Sequence, residues 1–519
     1  MRKSYKLTLA AAFGCSLMAA SWLTFGGDPQ RSGWAKNETS ITKENVKTLQ
    51  VVWKIKLDNQ VRELNALTAP VVIEPVYTNH GAEEYVIVGG SSDNLYTVNA
   101  DTGKTVWQKH FANSAPPPTG FMAEGYYFCP NALNDTPVIG RAPFPMPPTV
   151  YVISIDGKLH ALNVVNGEDR FPPKPFVPAY SKNWSLNLVG NILYTSVSQG
   201  CNSTKSGVYA MDLDSPDKVV AFFQTDPSGG GVWGRGGPSI GTDGTVFAET
   251  GDGPFDPTSG KYGNNVLALS SKTLKLLDYY APANVEYLTR KDLDMGNMTP
   301  AVFTYKGREL LVGAGKEGTL FLMDAKSPGG ETHRKPLFLS PVYANEGADI
   351  AGYGFWGAFA TWEDAKGARW LYAPAWGPVA ETAPTFPIRN GPASNGSIMA
   401  FKVEEKDGTL ALAPAWISRD MNVPEPPVIA NGIVFSVSSG QFTRQVKEDG
   451  SLYTGKEREA KALSNATLHA FDAETGKELF SSEKMMSSFA YMSGLAVSNG
   501  RIYATTHDST LYAFGVAGR

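Results

Sequence analysis

The chain has 519 residues, 42% of them apolar and only 18% charged, with 53 glycines and 35 prolines. That mix excludes a coiled coil and a disordered chain, and suits many short strands joined by turns. A formal charge of −4 at pH 7 leaves no basic footprint for nucleic acid.

The first element in chain order reads as an export signal. Arg2, Lys3 and Lys6 precede an apolar stretch from Leu7 to Ala20, and small residues at Ala19-Ala20-Ser21 precede Trp22. The stretch is too short to span a bilayer as a helix. Residues 1–21 are therefore expected to be removed, giving a periplasmic or secreted protein of residues 22–519 with a charge of about −7 and no transmembrane segment. Cys15 lies inside the signal; a lipid anchor there would need a better box than Ala12-Phe13-Gly14. Of the two remaining cysteines, Cys129 and Cys201, export favours a bridge, the alternative being two buried free thiols.

A short pattern then recurs eight times. It appears as Asn94-Leu-Tyr-Thr-Val-Asn99, Lys158-Leu-His-Ala-Leu-Asn163, Gly207-Val-Tyr-Ala-Met-Asp212 and Asn265-Val-Leu-Ala-Leu-Ser270. It returns as Thr319-Leu-Phe-Leu-Met-Asp324, Ser397-Ile-Met-Ala-Phe401, Thr467-Leu-His-Ala-Phe-Asp472 and Thr510-Leu-Tyr-Ala-Phe514. Its two-residue alternation predicts a strand with one buried face. The Asp-x-x-Thr-Gly-Lys type sequence after several copies predicts a hairpin turn. Apolar runs precede several copies, as in Tyr85–Val88, Val150–Ile153, Glu309–Val312 and Gly432–Phe435. Units of three or four strands, 43 to 78 residues apart, describe the blades of an all-β, eight-bladed propeller forming a single domain. A β-sandwich would not repeat one motif eight times. The last copy ends near the C-terminus, so its blade needs a strand from elsewhere, and Val51–Ile55 is the natural donor.

Asn99-Ala-Asp-Thr-Gly-Lys-Thr-Val-Trp107 is similar to the tryptophan-docking repeat of the pyrroloquinoline-quinone (PQQ) dehydrogenases, and the resemblance covers most of residues 22–519. Gly229-Gly-Gly-Val-Trp233, followed by Phe247-Ala-Glu-Thr-Gly-Asp252, resembles the segment that carries the family's cofactor-stacking Trp and, later, a metal ligand. The resemblance implies that Trp233 stacks on PQQ and that Asp252 helps bind calcium or a lanthanide, hard cations suited to carboxylate oxygen. Trp233 packing between blades is the plain alternative. Asp292-Leu-Asp294-Met-Gly296 resembles the segment with the catalytic Asp, implying Asp292 as base and Asp294 as a further metal ligand. Two residues apart on a strand, both would face one cation; in a polar loop they would only bind turn amides. Lys316, in Gly315-Lys-Glu-Gly318, resembles the lysine that polarises the quinone oxygens, although a solvated Lys before a turn glycine is common.

Departures accompany the likeness. The family's vicinal cysteine pair is absent, Cys129 standing alone in Tyr126-Tyr-Phe-Cys-Pro-Asn131. Its metal-binding Glu has no counterpart near Gly200-Cys-Asn-Ser-Thr204, leaving Asn202 as a weak substitute. No Cys-x-x-Cys-His haem segment is present, so electrons would pass to a separate acceptor. The six His residues show no metal spacing. The aromatic stretch from Tyr353 to Pro378 either walls a pocket or is a long packed connection. The implied function is oxidation of an alcohol or sugar hydroxyl with PQQ and a metal ion. The alternative is a non-catalytic propeller that binds protein or cell-envelope partners.

Overall fold

The computed structural model describes residues 21–143, 145–198, 200–226, 229–348 and 352–517. The expected export segment, Ser21 aside, and Cys15 with it, lie outside the described residues. Eight sheets, antiparallel but for one short parallel pair in the sixth, follow one another along the chain: 71–110, 138–175, 182–224, 239–280, 301–339, 354–417, 428–481 and 496–516. We number them blades 1 to 8; together they make the expected eight-bladed propeller. Blade 8 has three strands of its own and takes its fourth, Leu49–Lys56, from the other end of the chain, paired antiparallel with Thr510–Val516. The ring therefore closes as the sequence predicts, without a free edge at the seam.

Each copy of the repeat is the third strand of a blade. One expectation needs correction here: these strands are buried on both faces. Along Asn94–Asn99, Leu95 enters the apolar core shared with blade 2, whereas Tyr96 and Val98 enter the core shared with blade 8. A blade lies between two neighbours, so both of its faces must be apolar near the axis. Alternation in burial is clearest on an outermost strand, Leu49–Lys56.

The Trp repeat acts at three junctions. Trp53, Trp107 and Trp416, each on an outer strand, donate their indole N–H to Ala100 O, Val164 O and Ala473 O of the next blade, at 2.7, 2.8 and 2.9 Å. Each ring lies against the turn glycine of that blade, Gly103, Gly167 or Gly476. A Cβ there would come within 2.4 to 2.8 Å of the indole, and the positive φ of these glycines disfavours any side chain.

Residues 22–38 run past the inner edges of the blades in ring order. Backbone bonds join Trp22 to Val72 of blade 1 and Leu23 to Ile139 of blade 2. Further on, Pro29 accepts from Ile240, Gln30 from Val302, Ser32 from Thr361 and Gly33 from Ile429, in blades 4 to 7. The Glu38 carboxylate takes the Gly500 amide of blade 8. Inner strands have no further strand to pair with, and this segment satisfies several of their exposed amides. Among the described residues no helix is long and apolar enough to cross a membrane.

Candidate active site

In a four-stranded antiparallel blade, the link between strands two and three and the link to the next blade emerge on the same face. Trp233 lies in the link from blade 3 to blade 4, and Asp252 between the second and third strands of blade 4. Asp292 and Asp294 lie in the link from blade 4 to blade 5, and Lys316 between the second and third strands of blade 5. Topology thus delivers all five to one mouth of the ring.

Backbone bonds lace these links together. Gly251 N donates to Gly231 O at 2.8 Å, Trp233 N to Gly296 O at 2.9 Å, and Lys316 N to Asp294 O at 2.9 Å. Gly251 must be glycine for the approach, because a Cβ there would lie 2.7 Å from the Cβ of Asp294. Asp292 is not on a strand, contrary to the expectation. It caps the short helix Val285–Lys291 at its C-terminus with φ 53°, a left-handed conformation that Asp tolerates better than most residues. The chain then doubles back, and both carboxylates still reach Lys316.

Lys316 is the centre of the group. Its Nζ donates to Asp294 Oδ2 at 2.5 Å and to Asp292 Oδ1 at 2.9 Å. The same ammonium lies 5.7 Å from the Trp233 ring centroid and 5.4 Å from that of Trp356, within cation–π range. The Asp252 amide donates to Asp294 Oδ1 at 2.8 Å. One carboxylate oxygen from each of Asp252, Asp292 and Asp294 lies within 4.8 Å of the others.

Burial and mutual repulsion set the protonation of this trio. Burial, reinforced by the charges of Asp294 and Asp292, pushes Asp252 up to about 8. Burial pushes Asp292 up to about 6, with the Lys316 charge pulling the other way. Burial also works to raise Asp294, yet the Lys316 charge and the bonds it accepts hold it below the usual carboxylate range. Lys316 itself loses solvation, but the two carboxylates keep it charged.

These residues border a cavity of about 240 Å³. Trp233, Asp252, Asp292 and Lys316 line one part; Lys182, Trp184, Arg235 and Trp356 line others. Trp356 stacks on the buried Trp376 at 4.5 Å with the planes 4° apart, so the aromatic stretch expected around 353–378 both walls the cavity and packs behind it. Tyr127 and Phe128 also line it. They directly precede Cys129, which forms a disulfide with Cys201. Asn202 is not brought to the acids: it is exposed, beside the bridge, and does not line the cavity.

The donor set fits a hard cation. Three carboxylates against one ammonium leave an excess of negative charge at a partly dry site, and all offered ligand atoms are oxygen. The wall fits a flat aromatic guest, since Trp233 and Trp356 are both only half-buried and border the cavity. Sequence reasoning missed Lys182, Arg235 and the partner of Arg235, Glu425, because single charged residues far apart in the chain carry no local pattern.

Comparison with known proteins places the fold. The family profile of the PQQ glucose/ethanol/alcohol dehydrogenase β-propeller domain matches residues 22–176, which are the N-terminal segment, the closing strand and blades 1 and 2. No curated protein sequence matches. Among solved structures, quinohemoprotein alcohol dehydrogenase from Comamonas testosteroni superposes with a TM-score of 0.62 at 15% identity, over 96% of this chain and 81% of that one. The corresponding enzyme ADHIIG from Pseudomonas putida HK5 gives 0.61 at 12% identity, over 96% and 81%. A europium-containing methanol dehydrogenase gives 0.59 at 13% identity, over 96% and 98%. At such identities the likeness establishes the fold. The chain is a propeller that resembles the PQQ-dependent dehydrogenases in architecture and in its repeat.

Proposed function

We propose that the protein is an exported quinoprotein-type oxidoreductase that oxidises an alcohol or sugar hydroxyl, passing electrons to a separate acceptor. The observation that carries this reading is convergence. Trp233, Asp252, Asp292 and Lys316 come from blades and links spread over 84 positions of the chain, yet they border one cavity at the propeller mouth. A scaffold propeller has no need for three carboxylates, an ammonium and two half-buried indoles in one place.

When bound, PQQ supplies the two-electron acceptor and the calcium or lanthanide ion a Lewis acid. Asp252 and Asp294 are the residues that would hold the cation, and Trp233 and Trp356 offer indole surface for the cofactor ring. Asp292, the most exposed of the three acids at 48% of its side chain, takes the hydroxyl proton on its free carboxylate oxygen. Lys316 fixes the other oxygen of Asp292 and holds Asp294 ionised, and its charge stabilises negative charge developing on a nearby oxygen. The enclosed bridge between Cys129 and Cys201 supports the export reading, since such bonds persist in oxidising compartments.

Reconstitution tests the proposal. Purified protein is titrated with PQQ in the presence of Ca²⁺ or a light lanthanide, binding is read by absorbance, and dye reduction is followed with primary alcohols and sugars. Stoichiometric binding is expected, with turnover that falls at least about 100-fold in Asp292→Asn and Lys316→Ala. Folded protein that binds PQQ with neither metal would overturn the reading and leave the scaffold alternative.

A further inference from the structure

Three cations line the cavity, and they are not equivalent. Lys316 is neutralised by Asp292 and Asp294. Arg235 is paired with the fully buried Glu425. Lys182 is 5% exposed and has no carboxylate within ion-pairing distance among the described residues. Among the described residues its ammonium has one hydrogen bond, to Tyr127 O at 3.2 Å, and its Nζ lies 5.3 Å from the Trp184 ring centroid. A primary ammonium has three donors, so two are left to whatever enters the cavity. Burial without an opposing charge lowers its pKa only to about 8, which keeps it largely cationic at neutral pH.

An isolated buried charge is costly unless a counter-charge arrives. Lys182 sits where the cavity meets a narrower pocket running towards Phe25 and Asn134, so a ligand group there would be desolvated as well. We propose that Lys182 is an anion-recognition residue, and that the ligand of this cavity carries a carboxylate bound to its ammonium. The carboxylate belongs either to the cofactor or to a hydroxy-acid substrate. The assignment of those two sources rests on the oxidoreductase reading; the anion site does not.

The test compares the full-length mature protein with Lys182→Met and Lys182→Arg. The probes are quinoline-2-carboxylate and its amide, PQQ, and a small 2-hydroxy acid with its neutral alcohol counterpart, each followed by calorimetric titration and by the shift in Tm. The wild-type protein is expected to prefer quinoline-2-carboxylate over the amide, and Lys182→Met to lose about 10- to 100-fold in affinity for the acid. Lys182→Arg should keep the preference. Without ligand, Lys182→Met should melt at or above the wild-type Tm, because removing an uncompensated buried charge relieves the empty protein. A lower Tm with unchanged acid binding would overturn the proposal and make Lys182 a structural strut for the Tyr127 carbonyl. A Lys182-dependent affinity for PQQ assigns the carboxylate to the cofactor, and dependence for the hydroxy acid alone assigns it to the substrate. If PQQ binds neither protein while quinoline-2-carboxylate still discriminates them, the quinone reading fails and the anion site stands. Equal PQQ affinity in wild type and Lys182→Met, with no discrimination of the smaller acids, leaves the quinone reading and removes the anion site.

Discussion

Two arcs of the ring differ in how they are held. The junctions of blades 8 with 1, 1 with 2, and 6 with 7 use one device, an indole docked on the turn glycine of the next blade. At the other five junctions that device is missing among the described residues; between blades 3 and 5 the links carry Trp233 and Asp292, and the start of blade 6 carries Trp356. The family profile stops at residue 176, before Trp233, Asp252, Asp292, Asp294 and Lys316. The strand repeat runs through all eight blades, whereas indole docking serves three junctions and the candidate site lies in the links and loops away from them. A link cannot both follow a packing consensus and aim a carboxylate at a cavity, so the two kinds of information separate along the chain.

The sharpest way to break this comparison is to damage a docked junction. Trp416 is fully buried between blades 6 and 7, and Trp416→Ala should cost about 3–5 kcal/mol, by cavity formation and loss of the bond to Ala473 O. Denaturant unfolding would measure it. Ligand binding by the fraction still folded should match the wild type, since no cavity residue is touched. If binding falls in step with stability, the arcs are not separable.

On the other arc the matching experiment is the disulfide. Cys129 and Cys201 are 72 residues apart, and removing the bridge by a double Cys→Ser change should cost about 4 kcal/mol in the chain-entropy account, an upper figure. Here stability and binding should fall together, because the bridge anchors the Tyr127–Phe128 wall of the cavity. Retained ligand affinity in the reduced protein would show that the wall holds without its clasp.

What the sequence made legible follows the same division. All eight third strands and the closing strand could be placed, because burial between two blades demands an apolar run in every blade. Trp233, Asp252, Asp292, Asp294 and Lys316 were legible only through the resemblance of their segments to those of the PQQ dehydrogenases; the close backbone approach at Gly251 is seen in the structure. The conformation around Asp292 was not: a seven-residue helix ending in a left-handed cap has no periodicity long enough to read. Arg235 and Glu425 lie 190 positions apart, and Lys182 is defined by the acid it lacks. Neither relation leaves a trace in a single local window.

A pH experiment probes the repeat arc more gently. Asp135, in the link from blade 1 to blade 2, is fully buried, and its carboxylate accepts the Ile153 amide at 3.0 Å. Burial, the dominant cause, pushes it up to about 7. A carboxyl whose folded pKa exceeds its unfolded value of about 3.9 binds its proton more tightly in the native state. Its contribution to stability is therefore complete below pH 4 and is lost as pH rises through 7. Three units correspond to about 4 kcal/mol at most. Asp135→Asn, which keeps an acceptor for Ile153 and cannot ionise, should flatten the fall in stability between pH 4 and 7 by about 2–4 kcal/mol. An unchanged slope would mean that other acids, such as Asp93, which burial also pushes up to about 7, dominate the titration.

The smallest effect is expected at Asn202, where resemblance and geometry part. By its place in the sequence it was the substitute for a missing metal ligand; in the fold it is exposed, with φ 52°, on the rim beside the disulfide. Glycine takes that backbone conformation without strain, so Asn202→Gly removes the side chain and leaves the turn intact. Stability should change by less than about 0.5 kcal/mol, and cation affinity measured by lanthanide luminescence should be unaltered, since the side chain of Asn202 is not brought to the acids that would hold a cation. A tenfold loss of affinity would instead mean that the 200–204 rim folds over the acids when a cation binds. The site would then draw its last ligand from blade 3, across the cavity mouth from the links that carry the acids.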